Sequence, residues 1–168
     1  MKAYQKGICL AVATVMMAGC LAGCGGSKSG ESKMEEAARM RVMAMLETDA
    51  KSYLNLIPEE CMEYLEDTYY VSEKQIEEAV QEYLEEWIEG AEDKKIKERK
   101  KEVKKAKVED SDELELDDIQ ELNEELNVIR AEEAYWLDFD CDYEDTVYQY
   151  NGKWYSYNAF ERIVNLID

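Results

Sequence analysis

Hydrophobic positions recur along this chain with two different periods, and the change between them divides it. From Glu31 to about Ala50, Met34, Ala37, Ala38, Met40, Met43, Ala44 and Leu46 stand among strong helix formers without Gly or Pro, which predicts a helix buried on several sides. Tyr53, Leu54, Leu56 and Ile57 extend the apolar run to Pro58, which suits the first turn of a short helix carrying Cys61, Met62 and Leu65. Ser72 followed three residues later by Gln75 is a capping box. Ile76, Ala79, Val80, Tyr83, Leu84, Trp87 and Ile88 then follow at helical spacing until Gly90. Val103 to Val108 reads as a strand. Asp117 or Asp118 is placed to cap a helix with Ile119, Leu122 and Leu126, and Asn127 stands at its exit.

Beyond Asn127 the period becomes two. Tyr135, Leu137, Phe139, Cys141 and Tyr143 fall on one face of a predicted strand, and Trp136, Asp138, Asp140 and Asp142 on the other. Asn151-Gly152 is a two-residue hairpin signal, because a type I′ turn needs positive φ at both positions. It sets Tyr150 opposite Lys153, Tyr148 opposite Tyr155 and Thr146 opposite Tyr157, with Gln149 beside Trp154. Asn158 with Glu161 is placed to cap a closing helix through Phe160, Ile163, Val164 and Ile167. The fold class expected is α+β, with N-terminal helices packed on a curved antiparallel sheet.

The N-terminus follows neither pattern. Lys2 and Lys6 precede an uncharged apolar and small-residue stretch from Ile8 to Ala22, and no acidic residue occurs before Glu31. This is the layout of a secretory signal, and the stretch is short for a spanning helix. Gly25, Gly26, Ser27, Lys28, Ser29 and Gly30 have the composition of a flexible tether. The expected organisation is a signal peptide over 1–23, a tether over 24–30 and one α+β domain over 31–168.

Charge narrows the function. The chain has 20 basic and 40 acidic residues, and without Lys2 and Lys6 the count is 18 against 40, a balance of −22. Nucleic-acid binding is disfavoured, because neutralising phosphates needs a basic surface. Half of those 18 basic residues lie in one stretch: Lys94, Lys95, Lys97, Arg99, Lys100, Lys101, Lys104, Lys105 and Lys107. The stretch reads as a helix tail and exposed strand whose lysines pair with the abundant acids, or as a ridge that meets anionic headgroups or cell-wall polymers.

Histidine is absent, which removes the usual general base and the commonest metal ligand. Of five cysteines, Cys61 and Cys141 belong to the domain outside the signal. Outside the cytoplasm they would either pair as a disulfide or stay separate as small buried hydrophobes. Asp138, Asp140 and Asp142 at period two are a weak oxygen-ligand candidate for Ca²⁺, with a solvated strand face as the favoured alternative. An EF-hand is excluded, because Tyr143 stands where Gly is required and Gln149 where the bidentate Glu belongs. Neither a metal nor a cofactor is expected.

Two resemblances add to this reading. Leu21-Ala22-Gly23-Cys24 resembles the lipobox of bacterial lipoproteins. That resemblance implies diacylglycerol transfer to the Cys24 sulfur, cleavage between Gly23 and Cys24, and a lipid-anchored location on the extracytoplasmic face of a bacterial cell membrane. Met17-Ala18-Gly19-Cys20 is a weaker second candidate. Leu56-Ile57-Pro58-Glu59-Glu60, Leu-Asn-Glu-Glu-Leu at 122–126 and Gly152-Lys153-Trp154-Tyr155 resemble segments of small exported lipoproteins with an NTF2-like or cystatin-like fold. In such a cone Asp138, Tyr148, Tyr155 and Tyr157 would line a pocket. The function expected is a non-enzymatic interaction module, binding an envelope protein or polymer through an exposed sheet and a charge-segregated surface. The alternatives are a small-ligand binder or a carboxylate-based enzyme in the same pocket.

Overall fold

A computed structural model describes residues 31–168, and within it helices precede and flank one antiparallel sheet. The helix-rich half comprises α1 (Glu31–Glu47), α2 (Ala50–Leu54), α3 (Glu59–Tyr69), α4 (Glu73–Ile88) and α5 (Asp93–Val103). The second half comprises β1 (Val108–Glu113), α6 (Leu116–Leu126), β2 (Glu133–Phe139), β3 (Tyr143–Tyr150), β4 (Lys153–Ser156) and α7 (Tyr157–Ile167). The strands lie in the order β1-β2-β3-β4, and the fold is α+β with a curved sheet.

Local chemistry explains several boundaries. Thr48 takes φ +51° and ends α1, after which the Asp49 carboxylate accepts from Ser52 N at 3.0 Å to start α2. The capping box of α4 forms as expected. Gln75 N donates to Ser72 Oγ at 3.4 Å, and Ser72 N donates to Gln75 Oε1 at 3.0 Å. Asn151 and Gly152 take φ +51° and +70°, so the β3–β4 hairpin closes in the expected register.

Other expectations are corrected. Pro58 sits one residue outside α3, as its N-cap. Residues 103–107 are not a strand: Val103 ends α5, and the strand begins at Val108. The reason is burial, since Ile96 and Val103 lie seven residues apart on one helix face and join Val42 and Leu46 of α1. The α6 N-cap is Glu115, which leaves Asp117 and Asp118 in the first turn, where carboxylates favour the helix dipole. At α7 the cap is Ser156, whose Oγ accepts from Ala159 N at 3.1 Å. Asn158 instead accepts from Thr146 N at 3.1 Å, and the expected Thr146–Tyr157 pairing does not form.

The predicted strand over 135–143 is two strands. β2 stops at Phe139, residues 140–142 form the turn with Asp142 at φ +52°, and Tyr143 opens β3. The stacked pair Phe139–Tyr143, at 4.2 Å between ring centroids, is therefore a cross-strand contact.

Both faces of the sheet carry buried clusters, and the surface left open on one of them is the end bearing Asp138, Glu144 and Asp110. Leu137, Phe139 and Val147 pack against Met34, Ala37 and Ala38 of α1. On the opposite face, Ala134 and Tyr148 join Cys61 and Leu65 of α3 and Leu122 and Leu126 of α6 in the largest buried cluster. One edge, β1, is exposed along Glu109–Glu113 and almost wholly acidic, which discourages strand addition. The other edge is partly closed, because Ser156 N donates to Leu56 O at 3.0 Å.

Candidate functional site

The main cleft lies between α1, the loop before α3 and the β3–β4 hairpin. It has a volume of about 750 Å³, with Lys33, Glu36, Met40, Glu59, Glu60 and Trp154 among its lining residues. The hairpin turn holds one wall in place, and Tyr150 Oη donates to Glu60 Oε1 at 3.0 Å across to α3. Trp154 is anchored by an edge-on contact with Tyr135, with centroids 5.8 Å apart. Met40, on a helix expected to be buried on several sides, is 44 % exposed here. The lining mixes apolar surface with both signs of charge and contains no Ser, Thr, Cys or His.

Beneath one end of the sheet lies the most consequential polar contact. Arg41 Nε donates to Asp145 Oδ2 at 2.8 Å, and Arg41 Nη2 donates to Glu144 O at 2.6 Å. Ser156 Oγ donates to the same carboxylate at 2.9–3.0 Å while capping α7. Asp145 is fully buried, and desolvation raises its pKa to about 6 against the pull of Arg41 and Ser156. The triad ties α1, β3 and the β4–α7 junction together. Sequence reasoning missed it: Asp145 registers only as one more acid, and Arg41 is 104 residues away.

The expected pocket residues are not gathered at one mouth. Asp138 is partly exposed on β2, in register with Glu144 on one side and Asp110 on the other. Tyr148 is fully buried, Tyr155 stacks on it at 5.9 Å and lines the main cleft, and Tyr157 opens α7. Asp140 and Asp142 lie in the turn, so the period-two carboxylate face is not formed. Asp140 Oδ1 instead accepts from Lys107 N at 3.0 Å. No group of three or more metal-ligating side chains comes together among the described residues. Cys61 and Cys141 are both free. Cys61 is buried in the main core, where burial pushes its thiol up to about 12, whereas Cys141 is half-buried in the β2–β3 turn beside the two smaller clusters. Gly23, Cys24 and the tether lie outside the described residues.

Of the three tyrosines, Tyr148 is a packing group. Its hydroxyl has no strong hydrogen-bond partner and faces the Cys61 thiol, and burial drives its pKa far above the ordinary phenol value. A buried hydroxyl without a partner carries its desolvation cost uncompensated. Tyr148→Phe is therefore expected to leave stability unchanged or raise it by about 1 kcal/mol, measured by urea denaturation. A loss of about 2 kcal/mol or more would show that the hydroxyl is held by a strong partner.

Compared with protein-family models, with curated proteins and with solved structures, the chain matches none.

Proposed function

We propose that this chain is a lipid-anchored, non-enzymatic interaction module on the extracytoplasmic face of a bacterial membrane, binding an envelope protein or polymer. The observation that carries the reading is Leu21-Ala22-Gly23-Cys24 at the end of an apolar, acid-free N-terminal stretch, followed by a Gly/Ser-rich segment. The described domain supports it in two ways. Its first helix begins at Glu31, directly after that segment, and none of its described helices is long and apolar enough to cross a membrane. In this reading Cys24 is the anchor, and two acyl chains suffice where one is marginal. The recognition surface is the cleft beside Trp154 and Met40 together with the segregated charge.

The test is a Cys24→Ala variant followed by membrane fractionation of the bacterial host. The variant is expected to appear in the soluble fraction or to persist as an uncut, unacylated precursor. Maturation and membrane fractionation like the unsubstituted chain would sink the proposal.

A second reading, a small-ligand binder, is favoured by the size of the cleft and by the aromatic side chains of Trp154 and Tyr155 that line it. Under it, small molecules would quench Trp154 fluorescence saturably, and Trp154→Ala would abolish their binding.

A further inference from the structure

We infer that the outer face of α5 docks on an anionic phospholipid surface beside the point where the chain enters the domain, a reading that rests on the lipid anchor proposed at Cys24. The helix is attached to the domain by one side only, through Ile96 and Val103 against Val42, Met43 and Leu46 of α1. On the other side Lys94, Lys97, Lys101 and Lys104 follow one another at intervals of three, four and three residues, and all four are exposed. That spacing is a single stripe of a helix. At 1.5 Å per residue it runs for about 15 Å.

Only one of the four stripe lysines, Lys94, pairs with an acid among the described residues. Among the described residues the α5 region forms three ion pairs: Lys94–Glu98 at 3.8 Å, Arg99–Glu102 at 3.4 Å and Lys100–Glu47 at 3.7 Å. Lys97, Lys101, Lys104 and Lys105 take part in none of them. Residues 94–107 hold nine basic and two acidic side chains, a balance of +7, within a chain that from Cys24 onward carries −22. The remainder is therefore at −29. Such a distribution presents one side to an anionic surface and is repelled on all others, so it orients the domain as well as attracting it.

Position selects a membrane over a more distant polyanion. Arg39 Nε and Nη2 donate to Ala106 O at 3.1 and 2.8 Å, which fixes the end of the basic segment against the third turn of α1. Arg39 is eight residues from Glu31, or about 12 Å along the helix. The seven residues from Cys24 to Gly30 span at most about 24 Å. An acylated Cys24 thus confines the lysine stripe to within a few tens of Å of the headgroups, and each lysine that reaches them favours the surface roughly fivefold, with the effect fading over a Debye length.

The test uses the mature acylated chain reconstituted into phosphatidylcholine vesicles with and without phosphatidylglycerol. Flotation reports the anchor. Reaction with a water-soluble amine reagent, mapped by mass spectrometry, reports the stripe. The chain should float with both vesicles. Labelling of Lys97, Lys101 and Lys104 should fall about fivefold with phosphatidylglycerol at about 0.1 M salt and recover at about 0.5 M. Lys51 and Lys74, exposed on α2 and α4, should not change. In Lys101→Gln/Lys104→Gln, Lys97 should lose its protection. Equal labelling in the two vesicles contradicts the docking of α5, as does protection that needs a soluble glycerol-phosphate polymer instead of the vesicles. Failure to float even with phosphatidylcholine contradicts the anchor beneath it.

Discussion

Asp145→Ala is expected to destabilise the domain by about 3–5 kcal/mol, enough to lower Tm by roughly 10 °C or more. The carboxylate is fully buried, and the side chain of Arg41 is only 15 % exposed. Removing the acid leaves a nearly buried guanidinium with Glu144 O as its remaining acceptor and deprives Ser156 Oγ of the group it donates to. It also empties a fully enclosed site. Asp145→Asn behaves differently, because it keeps the shape and has the charge of the protonated acid.

The comparison has a definite pH sign. Burial raises the folded-state pKa of Asp145 from 3.8 to about 6. The folded form therefore holds this proton more tightly than the unfolded chain. The stability this supplies is complete below about pH 4 and is lost as pH rises towards and through about 6. Wild type measured relative to Asp145→Asn should lose ground between pH 4 and pH 6, and the difference cancels the general effect of the many surface acids. A difference that stays flat over that range, in chemical denaturation at each pH, would mean that Asp145 titrates normally in the fold.

Leu126→Ala is the second large effect, at about 2–5 kcal/mol. The helix α6 is short, and the apolar side chains it buries in the main core are Leu122 and Leu126, with Ile129 following at its exit. Leu126 is wholly buried in the cluster that covers the Ala134 and Tyr148 face of the sheet, so truncation leaves a cavity where helix and sheet meet. Leu116, on the same helix but 84 % exposed, is the control, and its replacement by alanine should change stability by no more than about 0.5 kcal/mol. Similar losses for the two variants would contradict the burial assigned to α6.

What was legible in the sequence was chiefly local. The Ser72–Gln75 capping box and the Asn151-Gly152 turn are decided by groups three or four residues apart, and both stand as expected. The apolar stripe of α4 was equally plain. Failures came where local signals competed. Val103 suits a strand by propensity, yet its contact with Val42 and Leu46 holds it in a helix. The alternation from Tyr135 to Tyr143 continues through a turn, because residues on either side of a tight hairpin can keep the same parity by chance. Helix caps shifted by two residues at α6 and α7, where several capping residues stand close together.

The candidate site was less legible, for a different reason. A cleft is made by the mutual position of α1, the loop before α3 and the hairpin, and that mutual position leaves no periodic trace. The Arg41–Asp145 pair joins residues far apart in a chain with 40 acids, so no charge pattern singles it out. The lysine stripe was visible as composition, but its single-sided spacing emerged only with the helical assignment of 93–103.

The reading as an anchored module stands most directly on the chemical state of one atom, the Cys24 sulfur. Mass spectrometry of the N-terminal peptide of the mature protein, purified from bacterial membranes, measures it. The account predicts a chain beginning at Cys24 with a diacylglyceryl thioether on that residue. An N-terminus at another position, or an unmodified Cys24 thiol, would contradict it.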